Sequence, residues 1–236
     1  MIKDKYFYDK ESARYSLKRY PETTSNYIQF FFKKRLDIVL RELKEIFGNK
    51  MRLNLLEIGC ADGVVLRKIL EEMGNNFSEM IGIDTSEGMI KEAGILTTNK
   101  KIRYFLRGEE VVSNKLDVVL EIGVANYAHI DEELEYAENN LKEEGIYVLS
   151  LAGKGSLNEY LGTWEGYSNF LSYSEYENKI DNIFKINKVI PIGFYVPFIW
   201  KVPAVGRVLQ PLFEFVFRLL LPNLFHEKVY ILKKNQ

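Results

Sequence analysis

The chain has 236 residues, 47% of them hydrophobic and 28% charged, enough to bury the core of one α/β domain with additions. Its formal net charge of −1 excludes the global basic field that draws a protein to nucleic acid. The single cysteine, Cys60, excludes an intrachain disulfide, and no His/Cys cluster has the spacing of metal ligands.

Residues 1–24 are rich in tyrosine and charge, including Tyr8, Tyr15, Arg19 and Tyr20, and carry no apolar signal core, so the expected location is cytoplasmic. Ser25 or Asn26 can cap a helix over 27–47 that Gly48 closes. Its apolar positions include Phe30, Phe31, Val39, Leu40, Leu43 and Phe47.

Apolar residues cluster over 53–58 with no helix breaker among them, which predicts a buried strand. Gly59 and Gly63 bracket a tight turn, and apolar residues at 64, 65, 66, 69, 70 and 73 then have helical spacing. In an open α/β sheet such a turn lies at the carboxyl end of the first strand, where ligands bind. The pattern is Glu57-x-Gly59-x-x-x-Gly63 and not Gly-x-Gly-x-x-Gly. Glu57 and Asp62 would repel the pyrophosphate that a dinucleotide site aims at a helix N-terminus. An acidic glycine turn suits a cationic or polar ligand without phosphate. This stretch resembles the first motif of the class I S-adenosylmethionine-dependent methyltransferases, Glu/Asp-x-Gly-x-Gly-x-Gly, with Ala61 in place of the middle glycine. Cys60, inside the turn, reads as a small residue packed beside the ligand.

Residues 80–84 predict a second strand ending in Asp84, and Ser86 can cap a helix over 87–94. Asp84 lies about 25 residues beyond the turn, where α/β nucleotide sites place a carboxylate against ribose hydroxyls. The run Ile81-Gly82-Ile83-Asp84-Thr85-Ser86-Glu87-Gly88-Met89 resembles the family's second motif. The resemblance implies that Asp84 bonds both ribose hydroxyls and that Met89 packs near the adenine. In many members an N-terminal segment folds over the cofactor, which makes Tyr8, Tyr15 and Arg19 candidate caps.

A third strand is expected over 102–106, followed by Gly108, Glu109 and Glu110. Relatives place an acid here against the adenine amino group, Glu109 fitting best and Glu110 being the alternative. Thr85, Gly108 and Glu121 complete the cofactor set that the resemblance implies. The fourth strand, 116–122, leads into a loop holding Asn126, Tyr127 and His129. In the family that loop faces the transferred methyl. His129 is the expected base, with Tyr127 or Asn126 orienting the acceptor. The Asn/Asp-Pro-Pro-Tyr/Phe signature of amide and base-amino methylation is absent.

A helix over 131–141 with Asp131 as its cap, a Leu-Lys-Glu-Glu-Gly turn and a fifth strand over 146–151 come next. An aromatic-rich loop over 153–173 contains Tyr160, Trp164, Tyr167, Phe170 and Tyr173. A helix over 174–183, a sixth strand over 184–194 and a seventh over 229–232 complete the expected core. Residues 195–225 form an apolar insert punctuated by four prolines. Along 204–221 the polar residues Arg207, Gln210, Glu214 and Arg218 fall on one narrow helical stripe. Such a helix is either a lid packed on the sheet and first helix or a surface that meets lipid or encloses an apolar substrate.

The expected architecture is a single α/β domain of the Rossmann-like class I methyltransferase type. It has a seven-stranded, mostly parallel sheet with an antiparallel last strand. Residues 1–48 form an N-terminal helical cap, 49–195 and 226–234 the core, and 196–225 a helical insert before the last strand. The expected activity is methyl transfer from S-adenosyl-L-methionine to a small-molecule, sugar or lipid-like acceptor, at oxygen. N-methylation, a catalytically silent S-adenosylmethionine-binding protein and a Rossmann-type dehydrogenase are the rivals. Peripheral membrane contact through 196–225 is the further expectation; no nucleic-acid partner and no metal are expected.

Overall fold

The computed structural model describes residues 5–110, 112, 114–162 and 170–235, with side chains from Tyr8 onward. Trp164 and Tyr167 of the aromatic loop lie outside the described residues. Short helices α1 (Lys5–Glu11) and α2 (Tyr15–Arg19) precede α3 (Tyr27–Phe47). The Asn26 side chain accepts a hydrogen bond from the Gln29 N–H at 3.0 Å, satisfying one of the free donors at the α3 N-terminus.

The alternating core follows as β1 (Leu53–Ile58), α4 (Val64–Met73), β2 (Phe77–Asp84), α5 (Glu87–Leu96), β3 (Ile102–Leu106) and β4 (Leu116–Ile122). Then come α6 (Ile130–Asn140), β5 (Leu141–Ala152), α7 (Leu157–Tyr160), α8 (Tyr173–Asp181), β6 (Phe184–Ile192), α9 (Pro203–Leu220) and β7 (Glu227–Lys234). The sheet order is β3-β2-β1-β4-β5-β7-β6, and β7 runs antiparallel to both neighbours. From β1 the chain winds one way through β2 and β3, then crosses to β4 on the other side. The order therefore reverses between β1 and β4, which opens a crevice at their carboxyl ends.

Alternate residues of each central strand serve opposite faces. Leu55, Val118 and Val148 pack with Leu43, Phe47, Leu66 and Ile69 of α3 and α4. Leu56, Val119 and Leu149 pack with Leu134 of α6 and Tyr176 and Ile180 of α8. A sheet covered on both faces needs strands that are largely apolar, and the central strands are so, with Glu57 and Glu121 the buried exceptions in β1 and β4.

Several boundaries differ from the sequence expectation for local reasons. β2 begins at Phe77, which is buried and pairs with Leu53 across a register shift. β5 takes in the expected Leu-Lys-Glu-Glu-Gly turn, because fully buried Leu141 already pairs with Leu116. The α6 N-cap is His129, with no side-chain cap bond, and Asp131 falls in the first turn. There it complements the helix dipole rather than capping it. In α8, Ser172 and Glu175 form a capping box.

The insert helix α9 is turned opposite to an ordinary surface helix. Its polar stripe faces the protein: Gln210 and Glu214 are buried. Gln210 Nε2 donates to the Phe194 carbonyl, and Trp200 Nε1 donates to Gln210 Oε1 at 3.2 Å. Arg218 Nε donates to the Pro191 carbonyl at 3.0 Å, and Arg207 donates to the Thr24 carbonyl at 2.8 Å. The aliphatic and aromatic side faces outward. Among the described residues, no helix is long and apolar enough to cross a membrane.

Candidate functional site at the carboxyl edge of the sheet

The turn between β1 and α4 is left-handed at Gly59 (φ +71°) and Gly63 (φ +78°). A side chain at Gly59 would stand 2.5 Å from Val124, and one at Gly63 would collide with the Tyr104 hydroxyl. Ala61 is also left-handed, at φ +48°, which costs about 1–2 kcal/mol in a residue with a Cβ. Its N–H donates to Asp84 Oδ2 at 2.9 Å, while the Ser86 N–H donates to Asp84 Oδ1 at 2.9 Å. The carboxylate at the tip of β2 thus braces the turn and faces the cavity beside it. Burial raises its pKa against the effect of these N–H groups.

That cavity has a volume of about 260 Å³. Its walls include Gly59, Ala61, Asp84, Thr85, Met89 and Glu121, and Tyr8 and Tyr15 close it from the N-terminal side. Two carboxylates hold the N-terminal segment there. Asp9 Oδ1 accepts from Ser86 Oγ at 2.5 Å and from the Gly88 N–H at 3.0 Å. Asp62 Oδ2 accepts from the Ser16 N–H at 3.0 Å. Glu57 lies below the turn, 2% exposed, with Oε2 unpartnered. Burial, then the nearby Asp84 and Asp62, push its pKa up to about 8. The Glu121 carboxyl is likewise raised by burial, then by the Glu133 charge, and accepts from the Tyr147 hydroxyl.

Some expected cofactor residues stand elsewhere. Cys60 is packed under the turn, off the cavity wall, and burial pushes its thiol up. Gly108 and Glu109 are exposed, and none of Gly108, Glu109 and Glu110 walls the cavity. Glu110 instead accepts from the Gly108 N–H at 2.5 Å and from the Tyr136 hydroxyl at 2.7 Å. In their place the wall carries Arg107, whose guanidinium pairs with Glu133 at 2.8 Å. Arg19 does not reach this cavity; it lies over the Tyr15 ring at 4.1 Å.

A second chamber of about 690 Å³ adjoins the first, and Tyr8, Tyr15, Gly123 and Tyr127 wall both. Its sides are aromatic, with Tyr27, Phe31, Phe32, Tyr195 and Trp200. Its polar groups include Arg19, Arg35, His226 and Glu227. Arg35 and Glu227 form a buried ion pair at 3.0 Å between α3 and β7. A Cβ at Gly123, φ +74°, would strike the Arg35 guanidinium, so glycine is what lets this pair sit at the β4 edge. Burial lowers the pKa of His226, leaving a neutral imidazole near pH 7.

Of the three residues expected at the methyl, Tyr127 alone walls the chambers, and its ring meets Tyr8 edge-on at 6.4 Å. Asn126 is buried and braces β5: Nδ2 donates to the Ala152 carbonyl and Oδ1 accepts from the Ala152 N–H, both at 2.9 Å. His129 is exposed at the start of α6, outside the walls of both cavities. Sequence reasoning missed Arg35, Gly123 and Glu227. One signal existed: Arg35 falls between Phe31 and Val39 on the apolar stripe of α3, where a cation needs a buried partner.

A family model described as a methyltransferase domain matches residues 49–188. The chain belongs to the class I S-adenosylmethionine-dependent methyltransferases. A malonyl-[acyl-carrier protein] O-methyltransferase of Ilyobacter polytropus is 25% identical over 191 residues, 75% of this chain and 71% of that protein. A carboxy-S-adenosyl-L-methionine synthase of Nautilia profundicola is 26% identical over 161 residues, 62% of this chain and 65% of that protein. Among solved structures, magnesium protoporphyrin IX methyltransferase from Synechocystis PCC 6803 with bound S-adenosylhomocysteine aligns with a TM-score of 0.65. It is 15% identical, and the match covers 98% of this chain and all of that one. The plantazolicin methyltransferase BpumL aligns with a TM-score of 0.61 at 19% identity, covering 96% and 90%. The likeness to these solved structures is one of fold.

The cofactor of this methyltransferase is S-adenosyl-L-methionine, and the first cavity fits it. The glycine turn lets Val124 and Tyr104 pack against the backbone where a Cβ could not stand, and Gly59 and Ala61 wall the cavity. Asp84 offers a carboxylate suited to ribose hydroxyls, and buried Met89 an apolar wall. Glu57, expected among the cofactor residues, lies beneath the turn and off the cavity wall, with one carboxyl oxygen unpartnered beside Asp62 and Asp84.

Proposed function

We propose that the enzyme methylates a hydroxyl oxygen of a small or lipid-like organic acceptor seated in the aromatic second chamber. The observation that carries this reading is the wall shared by the two cavities, Tyr8, Tyr15, Gly123 and Tyr127. It makes the second chamber the place from which an acceptor can face the first. S-adenosyl-L-methionine supplies a methyl already activated on a sulfonium. What remains for the chain is to align a nucleophile, exclude water and receive a proton.

Tyr8 and Tyr127 stand where alignment is needed, and the N-terminal segment held by Asp9 and Asp62 closes the first cavity. His226 stands in the chamber wall as a neutral imidazole able to take the hydroxyl proton. His129, exposed and outside both walls, is set aside for that role. Aromatic walls with a few polar groups suit an acceptor with a flat or greasy body and one or two polar substituents.

The test is S-adenosylhomocysteine release against panels of phenols, sugars, carboxylic acids and lipid extracts, with product atoms assigned by mass spectrometry. Single-turnover transfer by His226→Ala should fall about a hundredfold with S-adenosylmethionine affinity unchanged. An amine product, with transfer indifferent to His226, would replace the oxygen reading by N-methylation. No product from any panel would point to a silent binding protein.

A further inference from the structure

The outward face of α9 is apolar, and nothing among the described residues covers it. Val208 is 71% exposed, Phe215 64%, Leu219 73% and Leu220 67%. A monomer in water rarely leaves so continuous an apolar strip uncovered. The usual amphipathic rule would turn this strip inward; here Gln210 and Arg218 hold it outward through bonds to the carbonyls of Phe194 and Pro191. The segment leading into the helix does the same. Phe198 is 73% exposed although its backbone is left-handed, φ +70°, a conformation that a residue with a Cβ adopts only under constraint.

We propose that α9, with Phe198 and Val202 ahead of it, seats the enzyme on an anionic lipid surface, apolar face down. The charges select this occupant. Residues 195–225 contain Lys201, Arg207 and Arg218 and one acid, Glu214, which is buried. Lys201 and Arg207 are exposed, so the charge this segment shows to its surroundings is positive. A second copy of the chain would present the same cations with no exposed acid in the segment to receive them. A lipid surface supplies anionic headgroups above acyl chains that demand no hydrogen bonds. Lys201 Nζ lies 5.1 Å from the Phe198 ring, an arrangement in which the ring enters the interface and the ammonium stays at headgroup level. The helix has 18 residues and, among the described residues, no helix is long and apolar enough to cross a membrane, so the docked helix would lie along the surface.

The same element touches the acceptor chamber. Trp200 walls the chamber and bonds to Gln210 of α9, and Gly206 has no side chain because the Trp200 ring fills that space. Ile28, 60% exposed, walls the chamber as well. A docked helix would therefore bring the chamber close to lipid, a route for an amphiphilic acceptor. That last step rests on the function proposed above; the docking itself does not.

The experiment is flotation of the full chain with vesicles of neutral phosphatidylcholine and of phosphatidylcholine mixed with phosphatidylglycerol. Calorimetric binding of S-adenosylhomocysteine and light-scattering mass in lipid-free buffer are measured in parallel. The wild type should float with the anionic vesicles and release at high salt. The double substitution Phe215→Glu and Leu219→Glu should reduce binding at least tenfold while melting temperature and S-adenosylhomocysteine affinity hold. No flotation of the wild type, equal flotation of the variant, or a lipid-free dimer abolished by the same substitutions would overturn the proposal. Flotation without S-adenosylhomocysteine binding would leave the docking standing and remove the methyl-transfer reading.

Discussion

Glu57 is a carboxyl group held among other carboxylates with one oxygen unpartnered. Its pKa in the folded chain, about 8, lies above its ordinary 4.5. Below 4.5 both folded and unfolded chains hold the proton. Between 4.5 and 8 only the folded chain does, so stability falls as pH rises through that window and levels off above it. Glu57→Gln should flatten this fall in urea titrations run from pH 5 to 8.5. A cationic ligand placed beside Glu57 reverses the balance and expels the proton. Calorimetry of S-adenosylmethionine near pH 7 should therefore give heats that depend on the ionisation enthalpy of the buffer. Identical heats in phosphate and Tris would separate Glu57 from the ligand. Asp84 acts differently, because its oxygens already hold the turn through Ala61 and Ser86. Asp84→Ala should weaken S-adenosylmethionine binding by roughly 1.5–3 kcal/mol, the range for hydrogen bonds to a charged group. A titration showing unchanged affinity would remove Asp84 from the site.

Elements bring these residues together, and polar bonds tie α1 and α2 to the core. Asp9 accepts from Ser86 and Gly88 at the start of α5, while Asp62 accepts from the Ser16 N–H near the start of α2. Asp9→Ala should therefore loosen the segment without unfolding the sheet. The expected result is faster amide exchange over residues 8–19 and a several-fold faster release of S-adenosylhomocysteine, with the global melting temperature nearly unchanged. Unaltered exchange would show that the tyrosines alone hold the segment. The elements themselves were legible in the sequence where one physical cause acts. Helix α3 has an Asn26 cap and a 3.6-residue stripe; β1 and β4 are mostly apolar segments. The start of β5 is hidden in the sequence, because charged Lys142, Glu143 and Glu144 follow Leu141, whose burial secures the strand. The polar stripe of α9 was legible, but its direction was not. Periodicity gives the face of a helix, and only the packed partners, here the carbonyls of Phe194 and Pro191, decide which way it turns.

Across the whole molecule, the glycine turn and Asp84 could be read because both lie within one continuous stretch, β1, turn, α4 and β2. The second chamber could not, because its walls come from α1, α3, the insert and β7, which meet only after the sheet closes. The Arg35–Glu227 pair shows this most directly, joining residues 192 positions apart at 3.0 Å. It ties the first long helix to the last strand, at 5% and 2% exposure. The Glu227 charge holds the Arg35 pKa high despite the burial that would lower it. Removing one partner strands a buried charge, which costs about 3–5 kcal/mol, whereas replacing both by apolar groups of similar volume is often near neutral. Glu227→Gln should accordingly lower the urea midpoint strongly, and Arg35→Met with Glu227→Leu should restore most of the loss. The double variant should still bind S-adenosylhomocysteine, because neither residue walls the first cavity. Its acceptor turnover should fall, because both wall the second. Equal midpoints for the single and double variants would mean that the pair is not what couples α3 to β7, and full turnover by the double variant would place the acceptor outside the second chamber.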